Sequence, residues 1–377
     1  MKSKLTISVI LIFLLVISSF GQESNPIVKT FPAKAGENLQ LSIDPGNIEI
    51  QTWTKNEVNI EVISKKKYKV ENLVAAKTGS TIKFEIVLED SWNNSVTVKV
   101  KAPANFNFDI ETTGGNINIE NAITGKLNAN TDGGNVSFEN VNGEVYVKTS
   151  GGNISGENVE GSVGLHTNGG NISLGNVKSG KSDIDTYGGN ISVGNVDSDL
   201  SAKTHGGSIS IGNVGGNANV FTYGGHISME KVSGSANMET YGGHLSLEGA
   251  SGDVVAKTMG GHISLENITG SIDASTSGGH VTAELSPKAN TKSTLETSGG
   301  NMELKIPASA KATIYLKLES DEIDEKNVDD LVKSDFPAAT FNITEDGINA
   351  TYLLNGGGAK ITLKCSGGEV KIKKWNK

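Results

Sequence analysis

A short glycine-rich motif recurs through the middle of the chain and constrains its fold more than any other feature. Eleven Gly-Gly pairs follow one another at intervals of 18 to 21 residues, and a threonine stands two residues before every pair. The first glycines of the pairs are Gly114, Gly133, Gly151, Gly169, Gly188, Gly206, Gly224, Gly242, Gly260, Gly278 and Gly299. Such regularity is typical of a repeat protein in which each unit packs mainly on its neighbours.

Apolar and polar residues alternate within each unit, in short segments bounded by glycine and asparagine. In one unit Ile172 and Leu174 share a face of the first segment, and Val163 and Leu165 share a face of the segment before it. Alternation with a period of two predicts half-buried β-strands. Because every unit repeats the same corners, the pattern favours stacked coils over hairpins. The sequence therefore predicts an all-β fold, a single-chain β-solenoid (β-helix) with about 18 residues and two short strands per coil, capped at both ends.

Stacking of the coils gives the repeated polar positions a physical role. We expect the threonines and asparagines to hydrogen-bond up and down the stack, and the Gly pairs to supply positive φ where the chain reverses. A first asparagine column follows the Gly pairs at Asn116, Asn135, Asn153, Asn171, Asn190 and Asn301. A second column, where we expect left-handed backbone, comprises Asn121, Asn140, Asn158, Asn176, Asn195, Asn213 and Asn267.

The first 21 residues have the features of a signal peptide. Lys2 and Lys4 precede an apolar stretch from Leu5 to Phe20, and Ser19 and Gly21 are the small residues that a signal peptidase reads. The alternative is an uncleaved membrane anchor, although the stretch is short for a spanning helix. We therefore expect an exported protein, periplasmic, at the cell surface or extracellular, with no stable membrane span after cleavage.

The ends of the chain depart from the repeat, as the ends of a repeat array must. We expect an N-terminal β cap at residues 22–105, the solenoid repeats at 106–306, and an insertion followed by a final coil at 307–377. The acidic stretch Ser320–Phe336 predicts a short helix within that insertion. Cys365 stands two residues before a Gly-Gly pair, where other coils have threonine, so we expect it to be buried in a twelfth coil.

Charge and residue usage exclude some functions. All 33 basic residues are lysines, so the chain lacks the bidentate guanidinium groups that clamp phosphates and guanine. With a formal net charge of −9, nucleic acid is an improbable partner. The single cysteine leaves no partner for an intramolecular disulfide. No cofactor is predicted.

Three segments together resemble a known family. GNIEIQTW begins at Gly46, repeats of the form TxGGxIxLxNVxGxVxAxT follow, and GGGAKITLKCSGGEVKI closes the chain. They resemble the DUF4097 family of adhesin-like exported bacterial proteins over most of residues 30–377. The resemblance implies a β-helical protein of the surface or periplasm and, by analogy, a role in adhesion. The family has no catalytic motif to carry over.

One edge of the later repeats carries side chains that differ from the repeat consensus. The candidate ligand-binding residues are Tyr187, His205, Tyr223 and Tyr241 on one flank of the Gly corner, and His226, His244, His262 and His280 on the other. We expect both groups to point outward, with Glu230, Glu248, Glu266 and Glu284 further along the strands. Three interpretations stay open: duplication of a neutral ladder, recognition of sugar rings or of a surface protein, and metal binding by the four histidines in the Asn column or by the stacked glutamates.

The leading hypothesis is a non-catalytic adhesin or envelope protein. The alternative is a β-helix polysaccharide lyase or hydrolase, but such sites need clustered acids and a cleft, and the aspartates of the repeat are scattered. A Ser-His-Glu triad is disfavoured, because His and Glu of one coil are four residues apart on a strand. An ice-binding solenoid would present threonines outward, whereas we expect this threonine column to face inward.

Overall fold

The structure is a computed structural model that describes residues 22–23, 26–89, 96–320 and 328–375. The predicted signal peptide lies outside these residues. The described residues fall into two compact units, divided after Val159. Almost every element is a β-strand, which confirms the predicted all-β class.

The first unit begins with long strands and continues with short ones. Its strands are β1 (Gln22–Glu23), β2 (Ile27–Pro32), β3 (Asn38–Asp44), β4 (Asn47–Trp53), β5 (Glu57–Ser64), β6 (Tyr68–Thr78), β7 (Thr81–Leu88), β8 (Val96–Pro103), β9 (Asn107–Thr112), β10 (Ile117–Glu120), β11 (Ile123–Thr124), β12 (Leu127–Thr131), β13 (Val136–Phe138), β14 (Val141–Asn142), β15 (Val145–Thr149) and β16 (Ile154–Gly156). The boundary between the units falls within β17 (Val159–Glu160).

Parallel pairing begins earlier in the chain than the Gly-Gly repeat does. β3 pairs in parallel with β7 on one side and with β9 on the other, and β4 does the same with β8 and β10. Two coils therefore stack below β9 and β10, in an order that differs from their order along the chain. The antiparallel strands β5 and β6 pair with β8 and β7, and β2 and β1 pair with β5 and β6 in turn.

The second unit contains most of the repeats. Its strands are β18 (Val163–Thr167), β19 (Ile172–Leu174), β20 (Val177–Lys178), β21 (Ser182–Thr186), β22 (Ile191–Val193), β23 (Leu200–Thr204), β24 (Ile209–Ile211), β25 (Ala218–Thr222), β26 (Ile227–Val232), β27 (Ala236–Thr240), β28 (Leu245–Ala250), β29 (Val254–Lys257), β30 (Ile263–Ile268), β31 (Ile272–Thr276), β32 (Val281–Leu285), β33 (Lys292–Thr297) and β34 (Met302–Pro307). It closes with β35 (Ala312–Glu319), α1 (Val328–Leu331), β36 (Val332–Ser334), β37 (Thr340–Thr344), β38 (Gly347–Leu354), β39 (Ala359–Ser366) and β40 (Val370–Trp375).

Each strand of the repeat pairs in parallel with its counterpart in the next coil. β23, β25 and β27 form one such series, with Thr204, Thr222 and Thr240 in register, and β24, β26 and β28 form the other. The β-solenoid prediction is thereby confirmed, with one addition. Several coils contain a third, two-residue strand at the second corner, as in the parallel pair of β11 and β14.

The C-terminal strands return to the stack after the insertion. β39 and β40 pair directly with β33 and β34, and β35 and β36 lie on their other side. Cys365 is in register with Thr297, is buried, and lies with Sγ 3.4 Å from the carbonyl oxygen of Gly300. The prediction that a buried cysteine replaces threonine in a twelfth coil is confirmed, as is a short helix in the acidic stretch.

The threonine column faces inward, but its hydrogen bonds differ from those expected. Instead of bonding from threonine to threonine, Thr240 donates to the carbonyl oxygen of Gly225 in the preceding coil (2.9 Å). Its Oγ1 also accepts the backbone N–H of Gly243 (3.3 Å) in its own coil. The column therefore ties each Gly corner to the one before it and satisfies buried backbone groups.

The Gly pairs do not serve positive φ, contrary to the prediction. Neither Gly242 nor Gly243 adopts a left-handed φ, and the same holds for the pairs of the other coils up to Gly299-Gly300. A Cβ on the second glycine would instead collide with the backbone of the coil below, as Gly243 would with the Gly225 carbonyl. The pairs are required by close backbone approach. Of the second asparagine column, only Asn121 and Asn267 have positive φ.

Candidate functional site

Five side chains form an exposed column on one edge of the second unit. This tyrosine column comprises Tyr187, His205, Tyr223, Tyr241 and Met259, each directly before a Gly pair. Tyr187 is 64% exposed, Met259 57%, Tyr223 46% and Tyr241 45%. The outward orientation predicted for this column is confirmed. Large apolar groups held in solvent at successive coils are the strongest sign of a binding surface on this unit.

The rings of the tyrosine column stack on one another. Ring centroids lie 4.2 Å apart between Tyr187 and His205, 5.0 Å between His205 and Tyr223, and 5.3 Å between Tyr223 and Tyr241. Interplanar angles of 7° to 23° place the rings nearly parallel. Ring faces are thus largely used within the column, and a ligand meets ring edges and Tyr hydroxyls. Tyr187 and Tyr241, the two end rings of the stack, each keep one face that is not stacked on another ring of the column.

Phe221 is a member of this surface that the sequence analysis did not identify. Its ring packs edge-on against Tyr223, with centroids 4.9 Å apart, and against Tyr241 at 6.4 Å. In the parallel register it stands between Lys203 and Glu239, so it belongs to a column that is otherwise charged there. The aromatic residue at that position was the available signal.

Four imidazoles form a second exposed row, on the other flank of the Gly corner. The histidine ladder comprises His226, His244, His262 and His280. Successive ring centroids are 4.8, 4.7 and 4.6 Å apart, and the planes deviate by 3° to 6°. Between the two rows run only the backbones of the Gly pairs, whose first glycines are exposed. The structure therefore brings all eight predicted ligand-surface residues to one edge.

Each imidazole of the ladder accepts a hydrogen bond from the next coil. The backbone N–H groups of His244, His262, His280 and Asn301 donate to Nδ1 of the preceding histidine at 2.8 to 2.9 Å. A backbone N–H can only donate, so Nδ1 must be unprotonated and the proton of the neutral ring lies on Nε2. The ladder thus presents four outward Nε2–H donors.

Asparagines perform the same task in the earlier coils. The asparagine ladder comprises Asn116, Asn135, Asn153, Asn171 and Asn190. Backbone N–H groups one coil later donate at 2.7 to 2.8 Å to the Oδ1 atoms of Asn116, Asn135, Asn171 and Asn190. Histidine Nδ1 therefore replaces asparagine Oδ1 as the acceptor of one and the same backbone bond. This equivalence explains how histidine could enter the column without disturbing the fold.

The ring geometry disfavours a single metal ion shared by neighbouring histidines. Two nitrogens bound to one zinc ion must each lie about 2.1 Å from it, so they must approach within roughly 4 Å of each other. Parallel rings about 4.7 Å apart aim their Nε2 atoms alongside one another rather than at one point. Among the residues described, no group of three or more His, Cys, Asp and Glu side chains is placed to hold a metal ion.

The glutamates that follow the ladder are occupied in part by neighbours. Asn213 donates to Glu230 at 2.7 Å, and Lys305 forms an ion pair with Glu284 at 3.2 Å.

Two groups of this unit have shifted pKa values. Burial, followed by the charges of His280 and His244, lowers the pKa of His262 from its ordinary value. No carboxylate is among the causes of that shift. Burial raises the pKa of the Cys365 thiol, which favours its protonated form over the thiolate.

The family follows from a match over most of the sequence. The model of the Toastrack DUF4097 family matches residues 37–336. The chain belongs to the DUF4097 toastrack family. The match includes the coils of β3 and β4 and all eleven Gly pairs, and it ends before β37. No curated protein sequence matches the chain.

Several solved structures are similar to parts of this DUF4097 chain. A “putative adhesin” of Bacteroides fragilis is 17% identical, with 60% of this chain and 98% of that one covered and a TM-score of 0.34. A “putative cell adhesion protein” of Clostridium sporogenes is 9% identical over 93% and 99% of the chains, with a TM-score of 0.17. A “putative lipid binding protein” of Parabacteroides distasonis is 14% identical over 74% and 94%, with a TM-score of 0.22. Within the described residues, no helix is long and apolar enough to cross a membrane.

Proposed function

We propose that this protein is an exported, non-catalytic adhesin that binds a polysaccharide along the edge formed by the tyrosine column and the histidine ladder. The observation that carries the proposal is the exposure of these stacked side chains at successive coils. A monomer with no use for that edge would not keep a row of tyrosine and methionine side chains 45% to 64% exposed.

The chemistry of the edge fits a hydroxyl-rich polymer. Tyr hydroxyls can donate and accept, and the Nε2–H groups of the ladder donate, so together they complement the oxygen atoms of sugars. The strip between the rows carries only glycine backbone, so an extended chain can lie along it without meeting side chains. Ring stacking with a sugar, which the sequence suggested for the whole column, is confined to the two end rings, Tyr187 and Tyr241.

The histidine geometry also supports a binding role over hydrolysis. A general base needs a free lone pair directed at its substrate. The Nδ1 lone pair of each ladder histidine is taken by a backbone N–H, and Nε2 carries the proton of the neutral ring. Neither nitrogen is then available to activate Ser228, Ser246 or Ser264. We propose no catalytic residues and no cofactor for this edge.

Retention on immobilised cellulose, xylan, chitin and pectin tests the proposal, with release of new sugar ends measured on the same samples. We expect retention without new ends, and loss of retention in Tyr187→Ser/Tyr223→Ser/Tyr241→Ser. The matched control is Tyr146→Ser, since Tyr146 is exposed (48%) but lies outside the column. New sugar ends would favour a lyase or hydrolase. Absence of retention on all four polymers would contradict the proposal and leave a surface protein as the partner to seek.

A further inference from the structure

Protonation of the histidine ladder is incompatible with its hydrogen bonds. A histidinium carries protons on both ring nitrogens and therefore cannot accept a hydrogen bond. Each of the four Nδ1 atoms accepts a backbone N–H at 2.8 to 2.9 Å. To take up a proton, a ring must release that N–H and turn away from the corner. The corner between the two exposed rows then loses one of its ties between coils.

Charge repulsion adds to this effect. Ring centroids 4.6 to 4.8 Å apart would bring as many as four positive charges into one row. Four carboxylates can partly offset this repulsion. They are Glu230, Glu248, Glu266 and Glu284, each four residues beyond a histidine, on the strand that begins directly after it. Glu230 is bonded to Asn213, and Glu284 is paired with Lys305.

The other groups around the ladder carry little charge. Ser228, Ser246, Ser264 and Thr282 lie between the histidines and the glutamates, and Tyr223, Tyr241, Met259 and Ser277 face the ladder across the Gly pairs. Ser208 adjoins the first histidine and Asn301 the last. Glu303, Lys305 and Glu369 lie in the coils beyond, with Glu303 and Glu369 each paired to lysine. The direct neighbours of an imidazole are thus other imidazoles or neutral groups.

We propose that the histidine ladder makes polysaccharide binding at this edge dependent on pH: the edge holds its ligand at neutral pH and releases it in mildly acidic medium. This inference rests on the proposed function for its ligand, but the acid response of the ladder does not. The ladder borders the glycine strip on which the polysaccharide is proposed to lie. Imidazole rings that turn outward would therefore displace the Nε2–H groups that donate to the ligand. By linkage, if the ligand binds only the neutral ladder, protonation of the ladder must lower the affinity for that ligand.

The acid response can be measured without any ligand. In full-length protein labelled with 13C and 15N at histidine, we expect NMR to show the Nε2–H tautomer for the ladder at about pH 7.5. The urea midpoint of the wild-type protein should fall as pH drops below about 6.5, the ordinary pKa of histidine. The variant His226→Asn/His244→Asn/His262→Asn/His280→Asn should lose most of that fall, because Asn Oδ1 accepts the same N–H at any pH.

His166→Asn is the matched control, because His166 lies on β18, outside the ladder. It should keep the fall in the urea midpoint. An Nδ1–H tautomer at neutral pH would overturn the proposal, as would an equal acid response in the wild type and the four-fold variant. If that variant does not fold, the tautomer and titration of the wild-type histidines still decide.

The ligand arm uses the immobilised cellulose, xylan, chitin and pectin at about pH 7.5 and pH 5. We expect affinity for a retained polymer to fall about tenfold or more at the lower pH, within the usual range of coupling between two binding events. Equal retention at both values would overturn control of binding, even if the ladder titrates. Retention at neither value would count against the proposed function alone, since NMR and urea unfolding judge the ladder separately.

Discussion

The asparagine and histidine ladders perform one structural task with two side chains of different chemistry. Asn135 Oδ1 and His262 Nδ1 each accept the backbone N–H that follows the Gly pair of the next coil, at 2.8 and 2.9 Å. The bond is the same, but only the imidazole loses its acceptor lone pair on protonation near neutral pH. A repeat can therefore acquire a chemically active row with no change in its backbone.

The Gly corners beside the two ladders are built alike, so the threonine and glycine contacts are the same in both regions. Thr149 and Thr240 make the same pair of hydrogen bonds to glycine backbone. Gly152 and Gly243 meet the coil below in the same way. Changes to these shared parts should act equally at both places, and changes to the ladders should not.

The largest effect is expected at the second glycine of a pair. Gly152→Ala and Gly243→Ala would each drive a Cβ into the backbone carbonyl of the preceding coil, so we expect a loss of about 3 kcal/mol or more in the free energy of unfolding. Gly151→Ala and Gly242→Ala are the controls. A Cβ there meets its nearest atom at 3.5 and 3.3 Å, so these variants should lose less than about 1 kcal/mol. Urea unfolding measures the stability of all four variants. A small loss of stability in Gly243→Ala would show that neighbouring coils can move apart to admit the added methyl group.

A smaller loss is expected when the threonine hydroxyl is removed. Thr149→Val and Thr240→Val keep the shape but leave a buried glycine N–H and carbonyl without their partner, which should cost about 1 to 3 kcal/mol in each case. Thr297→Cys is the control, because Cys365 already occupies this column in the next coil and keeps a contact to Gly300. If the valine variants unfolded in urea with the stability of the wild type, the threonine hydrogen bonds would contribute nothing and packing alone would stabilise the column.

The repeated sequence indicated the coil, its length and its inward threonines, because identical residues every 18 or so positions must occupy identical places. It could not reveal what the Gly pair is for, since positive φ and close approach select the same residue. The order of β3, β7 and β9 also escaped prediction, because the strands of the first coils carry no Gly-Gly pair to mark the register. β39 was placed correctly by the pair at Gly367, which follows Cys365.

The candidate edge was predictable in part for a related reason. Alternation along a strand fixes which side chains point outward, so Tyr223 and His244 could be assigned to the surface. The hydrogen bond to Nδ1 depends on a backbone N–H one coil away, and the mutual stacking of rings depends on their rotamers. Neither follows from spacing. Sugar stacking along the whole column was therefore expected, whereas only the end rings, Tyr187 and Tyr241, keep an unstacked face.

The smallest effect, and the sharpest test of the comparison, comes from moving one histidine into the asparagine ladder. In Asn135→His, the new Nδ1 should accept the N–H of Asn153 at neutral pH, so stability at about pH 7.5 should stay within about 0.5 kcal/mol of the wild type. The fold requires the neutral ring, so the folded pKa lies below the unfolded value of about 6.5. The unfolded chain then binds more protons, and the contribution is kept above that pH and lost as pH falls.

At about pH 5 we therefore expect Asn135→His to lose about 1 kcal/mol relative to the wild type, the usual worth of one hydrogen bond. The loss per histidine should be smaller than in the natural ladder, because no second imidazole lies beside it to repel the charge. Asn135→Ala is the control, since it removes the acceptor altogether and should cost about the same at both pH values. Urea unfolding at the two pH values compares the variants. A loss in Asn135→His that did not change with pH would mean that imidazole does not take the place of the asparagine amide, and the equivalence of the two ladders would fail.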